Sequence, residues 1–400
     1  MPESRTCRSK FSINDSLYRL YNRTWQQKLE MSSDHVVVVG GGVIGLTIAH
    51  QLLQSTLKPK ELTIISQHFP RDVPISHEYT SPWAGAHFRP FPHRPEFYES
   101  DKRESAYTRE TYKYFKKLAK AFPESTIEFM KGIDYLEEPT PEYANLGPGF
   151  NSSSLDSFKQ ISSENLPSAV KAGFEYTTYC LNAPEYLKFL QDQITTLSKY
   201  QKVKLNIKRM TLHSLREAYD LFPTCTTLFN ATGQGLQLDG GQDPQCFGIR
   251  GQTLLLDVPH PTKYGKVTIT HQSKDGNWTF VIKRPSTNGK PQFILGGTKQ
   301  PGDGRIMPRD ADSQAIMERA KVLYPDLMVG GKFDVVGVNV GFRPARTGGS
   351  RVQTEYTTHK GRPVCIVHSY GLGGMGYETS VGVALHALKL YSESRSLSKL

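Results

Sequence analysis

Cysteine is scarce in this 400-residue sequence: Cys7, Cys180, Cys225, Cys246 and Cys365 are the five, and they lie far apart. None makes the C-x-x-C spacing of a redox dithiol or a structural zinc site, and an odd number closes no disulfide framework. Reduced thiols in an intracellular protein are the expectation. The twelve histidines form no H-E-x-x-H or comparable cluster, so no metal is expected. No run approaches the roughly eighteen consecutive apolar residues of a membrane span. Acidic residues are in deficit, 38 against 49 lysines and arginines, for a formal net charge of +11. The basic residues are nevertheless interleaved with acids and accompany no nucleic-acid motif, so nucleic acid is set aside as a partner. A basic surface also suits an anionic cofactor or an acidic substrate. Internal repeats and compositional linkers are missing too, so a chain long enough for two cores is expected to interleave its domains.

What is present begins at residues 36–46, where four valines run into Gly40-Gly41-Gly42-Val43-Ile44-Gly45-Leu46. The valines predict a strand buried on both faces, and the apolar spacing through Ala49, Leu52 and Leu53 predicts a helix directly after it. In the G-x-G-x-x-G frame, Gly40 permits the sharp turn, Gly42 lets a pyrophosphate approach the backbone, and Gly45 lets the helix pack closely on the strand. The helix start, with Val43 and Ile44, then presents free N–H groups and a positive dipole end to phosphate. NAD and FAD are equally compatible with this stretch alone.

Residues 62–65 predict the second strand of a βαβ unit, ending at Ser66-Gln67-His68. Gln67 occupies the place of the acid that usually grips a ribose; it can hydrogen-bond but carries no charge. Residues 80–92 form a small-residue loop with three prolines, rigid and able to bring backbone close to a flat ligand. Helices are expected over about 101–121, 184–197, 311–323 and 378–391, and strands over 203–207, 227–230, 251–256, 279–284, 292–297, 335–343 and 364–370. The three strands between 251 and 297 follow one another through turns, which favours an antiparallel sheet. Residues 123–167 are turn-rich and take no assignment.

Several stretches together resemble the flavin-dependent, fungal-like D-amino-acid oxidase family, which includes the D-aspartate oxidases. They are residues 36–46, Ser81-Pro82-Trp83-Ala84-Gly85-Ala86, Asn230-Ala231-Thr232-Gly233, Arg250-Gly251-Gln252, Leu295-Gly296-Gly297-Thr298, Gly341-Phe342-Arg343-Pro344-Ala345-Arg346 and His368-Ser369-Tyr370-Gly371. They stand in the family's order from residue 36 to residue 391. The resemblance implies an α/β fold: a Rossmann-type FAD-binding domain interleaved with an α+β substrate domain built on a mostly antiparallel sheet. The expected division is 33–95, 198–245 and 335–395 for FAD, and 96–197 with 246–334 for the substrate.

The resemblance also implies FAD as cofactor and a D-amino acid and dioxygen as substrates. Hydride passes from the substrate Cα to flavin N5, dioxygen is reduced to hydrogen peroxide, and the imino acid is hydrolysed to a 2-oxo acid and ammonia, with no side-chain base required. Arg343 is expected to hold the substrate carboxylate through two parallel hydrogen bonds. Gly371, Gly373, Gly374, Gly376 and Tyr377 are expected at the pyrimidine end of the flavin, with Gly374 also facing the substrate. Thr80, Ser81, Ala84, Gly85 and Ala86 match the family's flavin-contacting loop, and Met210 falls near a position that meets adenine through its backbone.

Departures from the family concern substrate choice. Phe280 stands where the family has an active-site tyrosine, and a second tyrosine has no counterpart around Lys274 to Trp278. Lys299 matches a position where D-aspartate oxidases carry arginine, and Lys274 roughly matches another basic position. A cation at either place can pair with a side-chain carboxylate, which points to acidic D-amino acids, although each lysine alone reads equally as a solvated loop residue. Neutral D-amino acids, with Phe280 and Trp278 shaping an apolar pocket, remain an alternative, as does an inactive flavin- or NAD-binding protein.

The ends of the chain carry two further expectations. Ser398-Lys399-Leu400, within a polar tail at 396–400, matches the address read by the peroxisomal import receptor. Residues 1–32 hold Arg5, Arg8, Lys10, Arg19, Arg23 and Lys28 with few acids, a faint likeness to a mitochondrial presequence. A disordered extension or an upstream start before Met31 accounts for them better. Monomer and homodimer both stay open.

Overall fold

The structure, a computed structural model, describes residues 35–397. The expected extension at 1–32 and the Ser398-Lys399-Leu400 address lie outside the described residues. The chain opens with β1 (His35–Val39), α1 (Val43–Gln54), β2 (Glu61–Ser66), α2 (Tyr98–Ala121) and β3 (Glu128–Leu136). The two-residue β4 (Lys159–Gln160), β5 (Ala172–Cys180), α3 (Ala183–Tyr200), β6 (Lys204–Arg209), α4 (Leu215–Leu221) and β7 (Thr227–Asn230) follow. The second half runs through β8 (Cys246–Leu256), β9 (Val267–Gln272), β10 (Trp278–Arg284), β11 (Gln292–Gly296), the two-residue β12 (Gln300–Pro301) and α5 (Asp310–Leu323). It closes with β13 (Val335–Arg346), β14 (Arg351–His359), β15 (Arg362–Tyr370) and α6 (Gly376–Leu397).

Two sheets organise these elements. The first has the order β14-β15-β7-β1-β2-β6 and is parallel except for the β14–β15 hairpin. All five residues of β1 are buried, because β1 lies in the middle of the sheet with side chains packed on both faces. Val36, Val38, Leu46 and Leu52 join one core and Val37, Val39 and Leu215 another, so alternate residues of the strand serve opposite layers. The second sheet has the order β12-β8-β11-β10-β9-β3-β5-β4, with β13 also paired to β8. It is antiparallel except where β3 runs beside β9. This is the expected α/β architecture with a second, mostly antiparallel sheet.

Several elements differ from the expectation. β3 lies inside the stretch left unassigned, where Lys131, Gly132 and Asp134 break the apolar alternation. Asp134 is fully buried there and ion-paired to Arg89 at 3.2 Å, so a residue that looks solvent-facing in sequence is interior. β5, β9, β14 and α4 carried no sequence assignment, and β14 is a hairpin strand rich in polar residues. Residues 335–346 were grouped from sequence with the FAD-binding segments. β13 instead pairs with β8 over almost its whole length, Gly341 opposite Gly251 and Phe342 opposite Arg250, so this segment belongs to the antiparallel sheet.

Arg250 fastens that sheet to its surroundings. The side chain is fully buried, and its Nη1 donates to Gln300 Oε1 at 2.7 Å and to Asp312 Oδ2 at 2.9 Å. Nη2 donates to Gln252 Oε1 and the Met307 carbonyl, and Nε to the Arg305 carbonyl. One guanidinium thus ties β8 to β12, to the loop before α5 and to α5 itself. Arg250→Ala would strip these acceptors of their donor, and breaking a buried pair this way costs about 3–5 kcal/mol. Equilibrium urea unfolding is expected to show a loss of that size; a loss below about 1 kcal/mol would refute the fastening role.

Candidate active site

Between the two sheets opens a cavity of about 1550 Å³, larger than the 300–1,000 Å³ or so of a site for one small molecule. One end is built by the glycine turn. Gly40 has φ +121°, and a Cβ there would meet the Ala231 carbonyl oxygen at 2.3 Å. Its N–H donates to the Ile65 carbonyl and the Ala231 N–H to the Val39 carbonyl, both at 2.8 Å. Strands β1, β2 and β7 therefore meet at one tight turn. A Cβ on Gly45 would lie 1.9 Å from the Gly40 carbonyl oxygen, so α1 can leave the turn on this course only with glycine there.

Gly42 differs from the other two: its added Cβ would meet only Ser81 Oγ, at 3.0 Å, on a side open to the cavity. Gly42 caps α1 without a side-chain hydrogen bond, and no acid occupies the first turn. The Val43 N–H donates to Ser81 Oγ at 3.0 Å. The positive end of α1 is left for an outside anion.

A second helix begins at the same place. Gly371, with φ +78°, donates its N–H to the Gly233 carbonyl, and Gly373 to Met375 form a single tight turn that leads into α6. A Cβ on Gly376 would lie 3.5 Å from Val43 Cγ1, so the N-termini of α1 and α6 converge on the cavity. The loop over them is pinned at several points. Tyr377 donates to the Ser81 carbonyl at 3.0 Å, Thr80 to the Phe342 carbonyl at 2.8 Å, and Tyr79 to the Gly41 carbonyl at 2.7 Å. A Cβ on Gly85 would sit 2.9 Å from Ile282, and Ala86 holds φ +49°. Thr80, Ser81, Ala84, Gly85, Ala86, Gly371, Gly373, Gly374, Gly376 and Tyr377 all line the cavity, as do Gln67 and Met210 beside the glycine turn, where the Met210 N–H donates to the Ser66 carbonyl at 3.0 Å.

Arg343 enters from β13. Its Nη1 donates to the Thr298 carbonyl at 3.2 Å, and among the described residues no carboxylate pairs with it. Burial lowers its pKa from the ordinary arginine value, yet the group stays charged in proteins. Glycine makes its berth: a Cβ on Gly251 would strike Nη1 at 2.5 Å, and one on Gly374 would lie 3.5 Å from its Cδ. A partly desolvated cation without an acid is the feature that calls for an anionic ligand.

The adjoining wall is aromatic and basic. Phe280 projects from β10 so that a Cβ on Gly296 would meet its ring at 2.2 Å. Trp278 takes cations on its ring from two directions, the Arg89 guanidinium at 4.5 Å and Lys299 Nζ at 5.8 Å from the centroid. Lys299 and Phe280 line the cavity. Lys274 does not: it is an exposed turn residue whose backbone N–H donates to Glu137 Oε2 at 2.9 Å. Gly276 and Asn277 of the same turn do line the cavity, whereas Lys274 is not among the lining residues.

Three cavity residues were missed from sequence. Arg89 pairs with buried Asp134 and donates its N–H to Glu378 Oε2 at 3.1 Å. Glu378 itself is buried in the first turn of α6, where desolvation outweighs Arg89 and Arg109 and raises its pKa to about 8. Glu78 meets Gln67 at the end of β2. Arg89 was legible as an arginine in the proline-rich loop; Glu378 and Glu78 gave no signal, since each depends on a partner distant in the fold or on the course of a loop.

Residues 35–390 match a family model described as FAD dependent oxidoreductase. The chain is 34% identical over 368 residues to a D-aspartate oxidase of Talaromyces thermophilus, covering 87% of this chain and 92% of that protein. It is 33% identical over 361 residues to a D-amino-acid oxidase of Schizosaccharomyces pombe, covering 89% and 95%. Among solved structures, a glycine oxidase from Bacillus cereus superimposes with a TM-score of 0.61 at 15% identity, over 90% of this chain and 95% of that one. The likeness to that structure is one of fold. The glycine turn, the two converging helix starts and the unpaired Arg343 fit FAD and a carboxylate-bearing substrate.

Glu378 gives the site a pH signature. Its pKa is raised from the ordinary 4.5 to about 8, so between these values the folded protein binds a proton that the unfolded chain has released. Stability therefore falls as pH rises through this window, by up to about 1.4 kcal/mol per unit. Below 4.5 both states are protonated and the effect vanishes. Urea unfolding of Glu378→Gln across pH 5–8, a window of about three units, is expected to show a flatter profile and equal or greater stability at the alkaline end. A profile parallel to the parent's would rule out the raised pKa.

Proposed function

We infer, because this chain belongs to the FAD-dependent oxidoreductase family and within it resembles the D-aspartate and D-amino-acid oxidases, that it oxidatively deaminates D-amino acids with a preference for acidic ones. FAD, when bound, supplies the redox chemistry, taking a hydride from the substrate and passing the electrons to dioxygen. The protein's own residues bind, orient and exclude water. The converging starts of α1 and α6, with the pinned 80–86 loop between them, make the cradle for the cofactor. Arg343 fixes the substrate carboxylate through its two-pronged guanidinium, which sets the Cα–H toward the flavin. Phe280 contributes shape and dryness where a hydroxyl would add a hydrogen bond.

The observation that carries this reading is Arg343, a cation inside the cavity with no acid to neutralise it. The acidic preference is supported by Lys299, which stands beside Trp278 on the cavity wall. Its ammonium has no described carboxylate within 4.0 Å and is free to meet a second carboxylate on the substrate. Arg89 is on the same wall but already paired with Asp134. We further propose a peroxisomal location, supported by Ser398-Lys399-Leu400 and by a reaction that releases hydrogen peroxide.

The purified holoprotein mixed without oxygen with D-Asp, D-Glu, D-Ala or D-Met, and with the L-isomers, is expected to lose its yellow colour with the D-isomers only. Protein that no D-amino acid bleaches would overturn the reading. Lys299→Ala is expected to raise KM for D-Asp and D-Glu about tenfold, the worth of one modest charged contact, and to leave D-Ala and D-Met unchanged. Equal effects on all four would remove Lys299 from substrate choice, and greater efficiency of the parent on D-Ala or D-Met would overturn the acidic preference. A fluorescent protein fused ahead of the chain should collect in peroxisomes and stay diffuse when residues 398–400 are deleted.

A further inference from the structure

At the end of β2 the sequence offers an amide, Gln67, where dinucleotide folds place an acid about 20 residues past the glycine turn. The structure nevertheless puts a carboxylate there. Glu78 arrives from the loop that follows the strand, and its Oε2 accepts a hydrogen bond from Gln67 Nε2 at 2.9 Å and lies 3.3 Å from His68 Nε2. All three residues line the cavity on the side of the glycine turn and Met210.

The loop that delivers Glu78 is fixed on both sides of it. The next residue, Tyr79, is buried and donates its hydroxyl to the Gly41 carbonyl at 2.7 Å, which joins the loop directly to the phosphate turn. The Glu78 N–H donates to Ser76 Oγ and the Tyr79 N–H to the Ser76 carbonyl, each at 3.2 Å. Trp83 Nε1 donates to that same carbonyl at 3.0 Å. The His68 ring stacks on Tyr79 at 6.1 Å. On the other flank, Arg209 binds the Gln67 carbonyl at 3.1 Å and Asp72 through Nη1 at 2.7 Å.

These contacts decide how the two side chains divide their work. The amide of Gln67 spends a donor on Glu78, and Glu78 Oε1 accepts nothing among the described residues. The Glu78 side chain is 69% exposed, so it can take a new donor without giving up a buried one. The vicinal hydroxyls of a ribose are two O–H donors, and an ionised acceptor makes the stronger bond to them. We propose that Glu78 grips the ribose hydroxyls of the adenosine half of FAD, with Gln67 and His68 as positioning residues that hold its carboxylate at the end of β2. This assignment rests on the FAD reading. It restores, from the following loop, the negative charge that the strand end lacks.

The test is titration of the full-length chain, stripped of flavin, with FAD and with its analogue lacking the 2′-hydroxyl of the adenosine ribose, followed by flavin fluorescence. The parent chain is expected to bind FAD about ten- to a hundredfold more tightly than the analogue, the worth of a hydrogen bond to a charged group. Glu78→Gln and Glu78→Ala are expected to lose FAD affinity by a similar factor and to bind the two ligands alike. Unchanged FAD affinity in Glu78→Ala, or an undiminished preference for FAD over the analogue in that variant, would overturn the assignment. A parent chain that binds neither ligand would overturn the FAD reading itself, and the assignment with it.

Discussion

The contact on which everything else depends is between backbones, where Gly45 passes the Gly40 carbonyl oxygen with no room for a side chain. A Cβ would stand 1.9 Å from that oxygen, and one on Gly40 would stand 2.3 Å from the Ala231 carbonyl. Two missing methyl groups let β1 end, α1 begin and β7 close against both within a few residues. The direction of α1 follows from this close approach, and with it the place where its unsatisfied N–H groups point. The start of α6 packs against the start of α1, where Gly376 lies close to Val43.

At the other end of the cavity the constraint is electrostatic. Arg343 is partly removed from water and has no acid beside it among the described residues, an arrangement that costs stability in the resting protein. Its position is nonetheless fixed, by the Thr298 carbonyl on one side and by the absence of side chains at Gly251 and Gly374 on the other. An anion bound there would recover that cost, which makes an unpaired cation a source of affinity. The neighbouring cation Arg89 shows the contrast. It is balanced by Asp134 and serves the wall, stacking on Trp278 and supporting Glu378.

Features made by neighbouring residues were legible in the sequence, and features made by distant ones were not. The valines, glycines and apolar spacing of 36–53 define strand, turn and helix locally, and their structure follows the pattern. Arg343 was legible through the residues around it. β3 was not, because its interior acid needs Arg89, which stands 45 residues earlier. Lys274 roughly matched a basic position of the aspartate enzymes, yet it is exposed and not among the cavity-lining residues. The strand at 335–346 read as part of the nucleotide-binding half because it precedes the last helix of that half, whereas its hydrogen bonds go to β8. Sequence order does not specify which edge a strand will join.

Lys299 sits between two residues that are both engaged. The carbonyl of Thr298 receives Arg343, and its hydroxyl receives the Gln252 N–H at 2.8 Å. The side chain of Gln300 receives Arg250 at 2.7 Å and reaches Asp312 at 3.1 Å. Lys299 itself is exposed, with its ammonium 5.8 Å from the Trp278 ring centroid and no carboxylate within 4.0 Å among the described residues. The backbone at this point is held by its neighbours, so the residue between them is free to vary without moving Arg343. Position 299 is therefore a place where very few codon changes could alter the charge lining the cavity while the rest of its wall is inherited intact.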